Sequence, residues 1–427
     1  MRSASPRLAA ETSRLRWGGG ARGRGTVRAN PSSARRGHPL AVKRVVILGG
    51  GVGGVIAARE LSRRAPAGTQ IDLVDREGRH SFAPSYPWVA MGWRRPEAVS
   101  RSLLALRARG VRHHRAQVIS IHPGERTVRT DAGELAYDYL LIALGAELDP
   151  GAIEGFAEGA NHPYDLRAAE RLRDAVRAFR GGRVAIGVTR LPFKCPAAPY
   201  EMALLLDAHF REEGIRHRVE IEFFTPEPYP TPAAGEAIGR AIESLLKARG
   251  IPLRAKREVD HIDSRNRLIQ FKGNGSSRYD LLVAVPPHTT DAAVRNSGLA
   301  RDGPWIPVDP RTLRTGYDDV YAVGDVTKIP TPKGNVPFLP KAGVFAEGQA
   351  KVAAANILAG MVGTAGAQWD GYGVCFLESG HGRAGMVRGN FYGEGPPIRM
   401  RRPSRVWHWG KVLFERRWMG SLFRKRI

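Results

Sequence analysis

Between Lys43 and Asp75 the chain carries a strand, a glycine turn and a helix in an order that leaves few folds open. Val45, Val46, Ile47 and Leu48 form a buried-strand run; Gly49, Gly51 and Gly54 then occupy the G-x-G-x-x-G positions, and a helical segment continues through Glu60 and Leu61. Each glycine is there for a physical reason. Gly49 makes the tight turn, Gly51 lets the backbone approach a pyrophosphate, and Gly54 lets helix and strand pack closely. The helix N-terminal amides then face the phosphates. A second strand, Gln70 to Val74, ends in Asp75, 21 residues after Gly54, where an acid suits a ribose 2′-hydroxyl. The pattern predicts an α/β dinucleotide-binding domain.

The 427 residues suggest two or three domains, and an apolar content of 42% with 50 Gly and 30 Pro is that of a loop-rich globular chain. The formal net charge of +25 is not evenly spread. Residues 1–42 carry nine Arg against one Glu, and residues 383–427 carry twelve Lys or Arg against two Glu, so the ends hold most of the excess. What remains is too little for a nucleic-acid groove, and no nucleic-acid partner is expected. Segment 1–42 is Arg-, Gly-, Ser- and Ala-rich with little to bury, and reads as a disordered basic extension or a start assigned too early; an arm for nucleic acid or an acidic surface is the alternative. It lacks the apolar stretch of a secretory signal. No run of 18 apolar residues is present, which excludes a transmembrane helix but not attachment to a membrane surface. Two cysteines cannot build a disulfide framework; they are inert core thiols or one reactive pair, and no metal site is expected.

Downstream, Val320-Tyr321-Ala322-Val323-Gly324-Asp325 is a strand ending in Gly-Asp, and Tyr137-Asp138-Tyr139-Leu140-Leu141-Ile142-Ala143-Leu144-Gly145-Ala146 is another buried strand. These resemble the second FAD motif and the connecting strand of the flavoproteins with two dinucleotide-binding domains, with Leu144 where the family usually has Thr. The resemblance implies FAD, held at Gly49, Gly51, Gly54, Asp75, Gly145, Gly324 and Asp325, the last on the ribityl chain. It also implies a discontinuous FAD domain over 43–150 and 300–365, with a second Rossmann-like domain over 151–299. That second unit begins well, at Gly182-Arg183-Val184-Ala185-Ile186-Gly187, but Val188, Thr189, Arg190, Leu191 and Pro192 follow where glycines would be needed. Side chains there obstruct a pyrophosphate, so its nucleotide site is read as degenerate.

In its place stands Pro192-Phe193-Lys194-Cys195-Pro196-Ala197-Ala198-Pro199-Tyr200-Glu201, and the other cysteine lies in Tyr372-Gly373-Val374-Cys375-Phe376-Leu377-Glu378. Both segments resemble the redox-cysteine segments of sulfide:quinone oxidoreductases and of the related flavocytochrome c sulfide dehydrogenases. The resemblance implies sulfide as substrate, a Cys195/Cys375 redox disulfide, FAD as electron carrier and quinone as acceptor. Hydrosulfide can attack a disulfide sulfur to give a persulfide and a thiolate. Glu201, six residues after Cys195, is a candidate proton acceptor, or alternatively a first-turn acid complementing its helix dipole. In Phe338-Leu339-Pro340-Lys341-Ala342-Gly343-Val344-Phe345-Ala346-Glu347, Lys341 is a candidate stabiliser of charge on reduced flavin or a solvated helix-start lysine, and Phe345 and Phe376 are candidate quinone-slot residues, with ordinary core packing as the alternative for either. The chain departs from many members in having Tyr164 and Ala168 at positions of a third cysteine and a histidine, and Pro230 after Glu227-Pro228-Tyr229. A type II NADH:quinone oxidoreductase and a flavocytochrome-type flavoprotein subunit are the rival readings.

The C-terminal region, 366–427, ends in a segment where Trp407, Lys411, Phe414, Trp418 and Leu422 share a helical face, broadened by Val406, Trp409, Leu413 and Met419 and flanked by Arg401-Arg402 and Arg424-Lys425-Arg426. Aromatic stripes with cationic flanks suit an anionic membrane surface, and that face is expected to meet lipid; the alternative, a terminal helix docked on the protein's own core, leaves the Arg clusters without a role. The reading is an α/β protein of two Rossmann-like, three-layer domains with an amphipathic membrane-binding end, a peripheral protein of a bacterial cytoplasmic membrane, with homo-oligomerisation left open.

Overall fold

The structure, a computed structural model, describes residues 42–421 apart from Lys333 and Asn335. The basic segment 1–41, Leu422 and the Arg424-Lys425-Arg426 cluster lie outside the described residues.

The first strand, β1 (Arg44–Leu48), leads through the glycine turn into α1 (Val52–Arg64) and back into β2 (Gln70–Val74), followed by β3 (Val111–His114) and β4 (Tyr139–Ile142). The chain then leaves for a second unit: α2 (Leu166–Ala178), β5 (Gly182–Val188), α3 (Ala198–Glu212), β6 (Val219–Phe224), β7 (Leu253–Arg254) and β8 (Leu281–Val285). It returns as β9 (Val320–Ala322) and α4 (Gly343–Val362), and ends with β10 (Tyr372–Gly380), β11 (Arg383–Asn390), β12 (Arg399–Ser404) and α5 (Arg405–Ser421).

Two parallel sheets result. The larger has the order β9-β4-β1-β2-β3, and Ile47 of β1 lies between Leu73 and Leu141 of its neighbours. All three side chains are fully buried, as a parallel sheet covered on both faces requires. The smaller sheet has the order β7-β6-β5-β8. In each, strand order reverses beside the first strand, which opens a crevice at the carboxyl ends: between β1 and β4 in one, between β5 and β8 in the other.

Why the glycines stand where they do is visible in their surroundings. Gly49 has φ +100° and a Cβ there would lie 2.4 Å from the Ala143 carbonyl oxygen at the end of β4; a Cβ on Gly54 would lie 1.8 Å from the Gly49 carbonyl oxygen. Both positions are closed to any side chain. Gly380, at the end of β10, is equally confined, since a Cβ would come within 2.3 Å of Ala208 Cβ on α3. That contact seats the antiparallel β10-β11-β12 sheet against the second unit.

Gly54→Ala should destabilise the fold by about 3 kcal/mol or prevent folding, because the obstructing atom is backbone. Thermal unfolding of the purified variant checks this, and a melting temperature equal to that of the parent would contradict the packing described.

Candidate functional site

At the first crevice the turn is held by backbone and by one carboxylate. Gly49 N–H donates to the Val74 carbonyl at 2.8 Å, and α1 begins at Val52 with Gly51 as its extended N-cap. Asp75 accepts from Gly50 N–H at 2.8 Å through one oxygen and from the Glu77 and Gly78 amides at 3.0 and 2.8 Å through the other. Asp75 is thus first a clamp on the turn. The space beyond is open: nothing lies within 4 Å of where a Cβ of Gly51 or of Gly145 would sit.

Asp325 follows β9 in the next loop. Its Oδ1 is buried and has no hydrogen-bond partner among the described residues. Burial pushes the carboxyl up, opposed by Lys194 and Lys341. An unpaired buried carboxylate oxygen costs free energy unless a donor arrives. A ribityl hydroxyl supplies such a donor, and the two open glycines accommodate the rest of a dinucleotide, so the residues present fit FAD. Gly324 is fixed separately by its N–H, which donates to Gln349 Oε1 of α4 at 2.7 Å.

The Lys341 ammonium is buried, donating to the Asp325 and Thr327 carbonyls at 2.6 and 3.1 Å and lying 3.4 Å from the Trp305 ring centroid. Burial lowers its pKa to about 7, with Asp325 opposing. Its backbone carbonyl accepts from Cys195 N–H at 2.7 Å, and Lys194 Nζ reaches the Ala146 carbonyl beyond Gly145. The cysteine loop is therefore stitched to the segments that frame the first crevice.

Cys195 itself has φ +54°, a left-handed conformation unusual for a residue with a side chain. It precedes α3, whose Ala198 N–H donates to the Cys195 carbonyl at 2.9 Å, and Tyr164 Oη lies 3.5 Å from that same oxygen. Cys375 comes in on β10, directly opposite Val387. Both thiols are free and half-buried. They are close enough that a charge on Cys375 raises the pKa of Cys195, after the larger effect of crowding by protein atoms. Cys375 is pushed up to about 11 by the same crowding and then by Glu201.

Glu201 in the first turn of α3 is buried, and its partner is Lys411 of α5, Nζ to Oε1 2.5 Å, with only 3% and 6% of the Lys411 and Glu201 side chains exposed. Burial lifts Glu201 to about 7; Lys411 opposes that shift and Glu378 adds to it. Lys411 is itself disfavoured by burial, but Glu201 and Glu378 outweigh this and hold it above the ordinary lysine range. Its charge lowers the pKa of both cysteines. Glu378, wholly buried, accepts from His408 Nδ1 at 3.0 Å through both oxygens.

Two expectations from the sequence need correction. The stripe of Trp407, Lys411, Phe414 and Trp418 does not face outward: Lys411 and Trp418 are buried against the protein, and Trp407 and Phe414 are half-buried. The outward side of α5 carries Val406, Trp409 and Leu413, exposed by 69%, 63% and 57%, beside exposed Arg405, Arg416 and Arg417. Second, Phe345 is 3% exposed and packs edge-on against Trp369 and Phe391, which makes it a core residue and not the wall of an accessible slot. Phe376 is half-buried, under Gly410 and 6.4 Å from the Phe414 ring. Lys411, which the sequence reading places on a lipid-facing stripe, and Glu378 and His408, to which it gives no role, join the network around Glu201, while Tyr164, noted only as standing where many members have a third cysteine, reaches the Cys195 carbonyl.

The second crevice lacks the open glycine turn of the first. A Cβ on Gly187 would meet the Phe224 carbonyl at 2.1 Å, so this glycine serves strand packing, while the Thr189 hydroxyl donates to the Val285 carbonyl across the gap at 2.6 Å.

Residues 43–350 match the family model described as pyridine nucleotide-disulphide oxidoreductase. The sulfide-quinone reductase of Aquifex aeolicus is 31% identical over 334 residues, covering 74% of this chain and 76% of that one. The chain belongs to the sulfide:quinone oxidoreductase family of pyridine nucleotide-disulphide oxidoreductases. The mitochondrial sulfide:quinone oxidoreductase of Mus musculus is 28% identical over 342 residues, 75% of this chain and 74% of the mouse protein. The X-ray structure of the Aquifex aeolicus enzyme superposes with a TM-score of 0.82 at 27% identity, covering 90% of this chain and 92% of that one. The protein is an FAD-dependent oxidoreductase, and the fit of Asp325, Gly51 and Gly145 to a dinucleotide agrees with that.

Lys411→Met should slow alkylation of both thiols about tenfold at fixed pH, because the cation that favours their thiolates is gone. Mass spectrometry after timed iodoacetamide treatment measures it. Unchanged rates would show that Lys411 does not act on the cysteines.

Proposed function

We propose that the protein oxidises sulfide at a Cys195–Cys375 disulfide and passes the electron pair through FAD to a membrane quinone. The observation that carries the reading is that the chain's two cysteines, one on a left-handed loop before α3 and one on β10, lie within electrostatic reach of each other and of the same buried Glu201–Lys411 pair.

The chain's residues divide the work. Hydrosulfide attacks one sulfur of the disulfide; the S–S bond breaks, one cysteine becomes a persulfide and the other leaves as a thiolate. Lys411 stabilises that thiolate electrostatically, against the crowding that would otherwise keep both groups protonated. FAD, when bound, supplies the two-electron acceptor and donor between thiolate and quinone. Glu201 takes the proton of hydrogen sulfide when deprotonated. With its pKa near 7 it is poised to do so around neutrality. The direct pairing of Cys195 N–H with the Lys341 carbonyl keeps the cysteine loop in register with the loop that carries Asp325.

Quinone approach is supported by a groove of about 370 Å³ between α1, α4 and α5, walled by Ile56, Leu413, Phe414 and Trp418 and edged by Arg59, Arg417 and Glu347. It adjoins the apolar, Arg-flanked outer side of α5, and among the described residues no helix is long and apolar enough to cross a membrane. These features support a peripheral attachment in which Val406, Trp409 and Leu413 enter the headgroup boundary. Phe414 and Trp418, which wall the groove, are then the aromatic residues nearest a quinone ring, with Phe376 behind Phe414, in place of Phe345.

Anaerobic sulfide should bleach the holoenzyme flavin, and Cys195→Ala or Cys375→Ala should each lower sulfide-to-quinone turnover by at least about a hundredfold. Full activity in both variants would refute the disulfide route. In single-turnover bleaching, the parent rate should rise as pH climbs through about 7, because Glu201 must lose its proton to act as a base. Glu201→Gln should be slower and lose that part of the pH dependence; a limb of equal size in both would belong to ionisation of sulfide itself. Replacing Val406 and Trp409 by Asp should weaken partitioning onto anionic phosphatidylglycerol vesicles about tenfold, and unchanged partitioning would place the membrane contact elsewhere.

A further inference from the structure

The last turns of α5 reach the neighbourhood of the first glycine turn. Trp418 is buried there, packed against Phe82 and Phe414, and its indole N–H donates to His80 Nε2 at 3.0 Å. The other ring nitrogen of His80, Nδ1, lies 3.0 Å from the carbonyl oxygen of Gly50, inside the glycine turn between β1 and α1. Because an indole only donates, Nε2 must accept, and the proton of the neutral imidazole is placed on Nδ1, where it donates to Gly50. Burial, which lowers the His80 pKa, keeps the ring neutral.

The Gly50 peptide groups are thereby held on two sides: the N–H by Asp75 and the carbonyl by His80. The peptide joining Gly50 to Gly51 is planar and trans, so its carbonyl and its N–H point in opposite directions. Holding the Gly50 carbonyl toward His80 therefore aims the Gly51 amide away from it. That amide belongs to the residue whose Cβ direction is empty, at the start of α1 where backbone amides face a pyrophosphate.

We propose that His80 is a positioning residue for the FAD pyrophosphate, set in the required tautomer by Trp418, so that the C-terminal helix forms part of the cofactor site. The inference requires that FAD binds at this turn and is independent of the sulfide chemistry. Its readout is FAD affinity, measured on full-length apoprotein by quenching of flavin fluorescence. His80→Leu should raise the FAD dissociation constant about tenfold, the loss of one buried hydrogen bond and the amide orientation it fixes. His80→Asn, whose Nδ2 can occupy the place of Nδ1, should restore most of that loss. Trp418→Phe keeps an aromatic ring but no donor, frees the tautomer, and should weaken FAD binding about threefold to fivefold. Parent-like affinity in His80→Leu and Trp418→Phe would overturn the proposal, as would an equal loss in His80→Asn and His80→Leu, which would reduce His80 to a space-filling role. Failure of the parent apoprotein itself to bind FAD would instead remove the cofactor assignment.

Discussion

The buried ion pair between Lys411 and Glu201 fixes how the C-terminal region must close on the rest of the molecule. Neither charge has water to stabilise it, and removing one partner from such a pair leaves the other uncompensated at a cost of about 3–5 kcal/mol. The pair therefore specifies where α5 lies relative to α3. Once α5 is seated, Glu415 can meet Ser85 and Arg94, His408 can meet Glu378, and Trp418 can meet His80. All of these are polar contacts with at least one buried partner, and each is satisfied only in that register.

The same pair also sets the electrostatics of the thiols. Crowding alone would keep Cys195 and Cys375 protonated and poorly nucleophilic. Glu201 next to them adds to this. Lys411 opposes both effects without exposing the site, although the two thiols stay above their ordinary range, and its cationic state is secured by two carboxylates, Glu201 and Glu378. One side chain on the last helix thus links closure of the molecule to the reactivity of the cysteines.

What the sequence makes legible, and what it does not, follows from the range of the interactions involved. The turn at Gly49, Gly51 and Gly54 is readable because its constraints are local: a left-handed φ, a carbonyl 1.8 Å from a forbidden Cβ, a strand before and a helix after. The Gly324-Asp325 loop is legible only through its resemblance to the second FAD motif of such flavoproteins. The orientation of α5 is not, because an aromatic stripe at helical spacing buries equally well against lipid or against protein. The signal that could have decided it is Lys411 itself: a lysine in the middle of an apolar stripe is expensive in lipid, and is better explained by a carboxylate waiting elsewhere in the chain. Phe345 shows the converse. Its place in a motif suggests a ligand wall, but only the tertiary packing of Trp369 and Phe391 around it shows that no face is left over. Asp75 stands beside the turn as its spacing implies, yet its bonds to the Gly50, Glu77 and Gly78 amides are set by the loop conformation, which spacing cannot supply.

The two crevices show how one fold can hold two different chemistries. In the first, strand and helix are separated by glycines and the space at the helix N-terminus is left free. In the second, Thr189 closes the strand end, Gly187 is spent on contact with β6, and the chain arrives at α3 only after the Cys195 loop. The helix N-terminus that would meet a phosphate therefore follows directly on a cysteine, whose carbonyl accepts the Ala198 amide. A partial positive charge at that helix end favours a thiolate as it would favour a phosphate. The position that carries an open glycine turn in the first unit thus carries the Cys195 loop in the second.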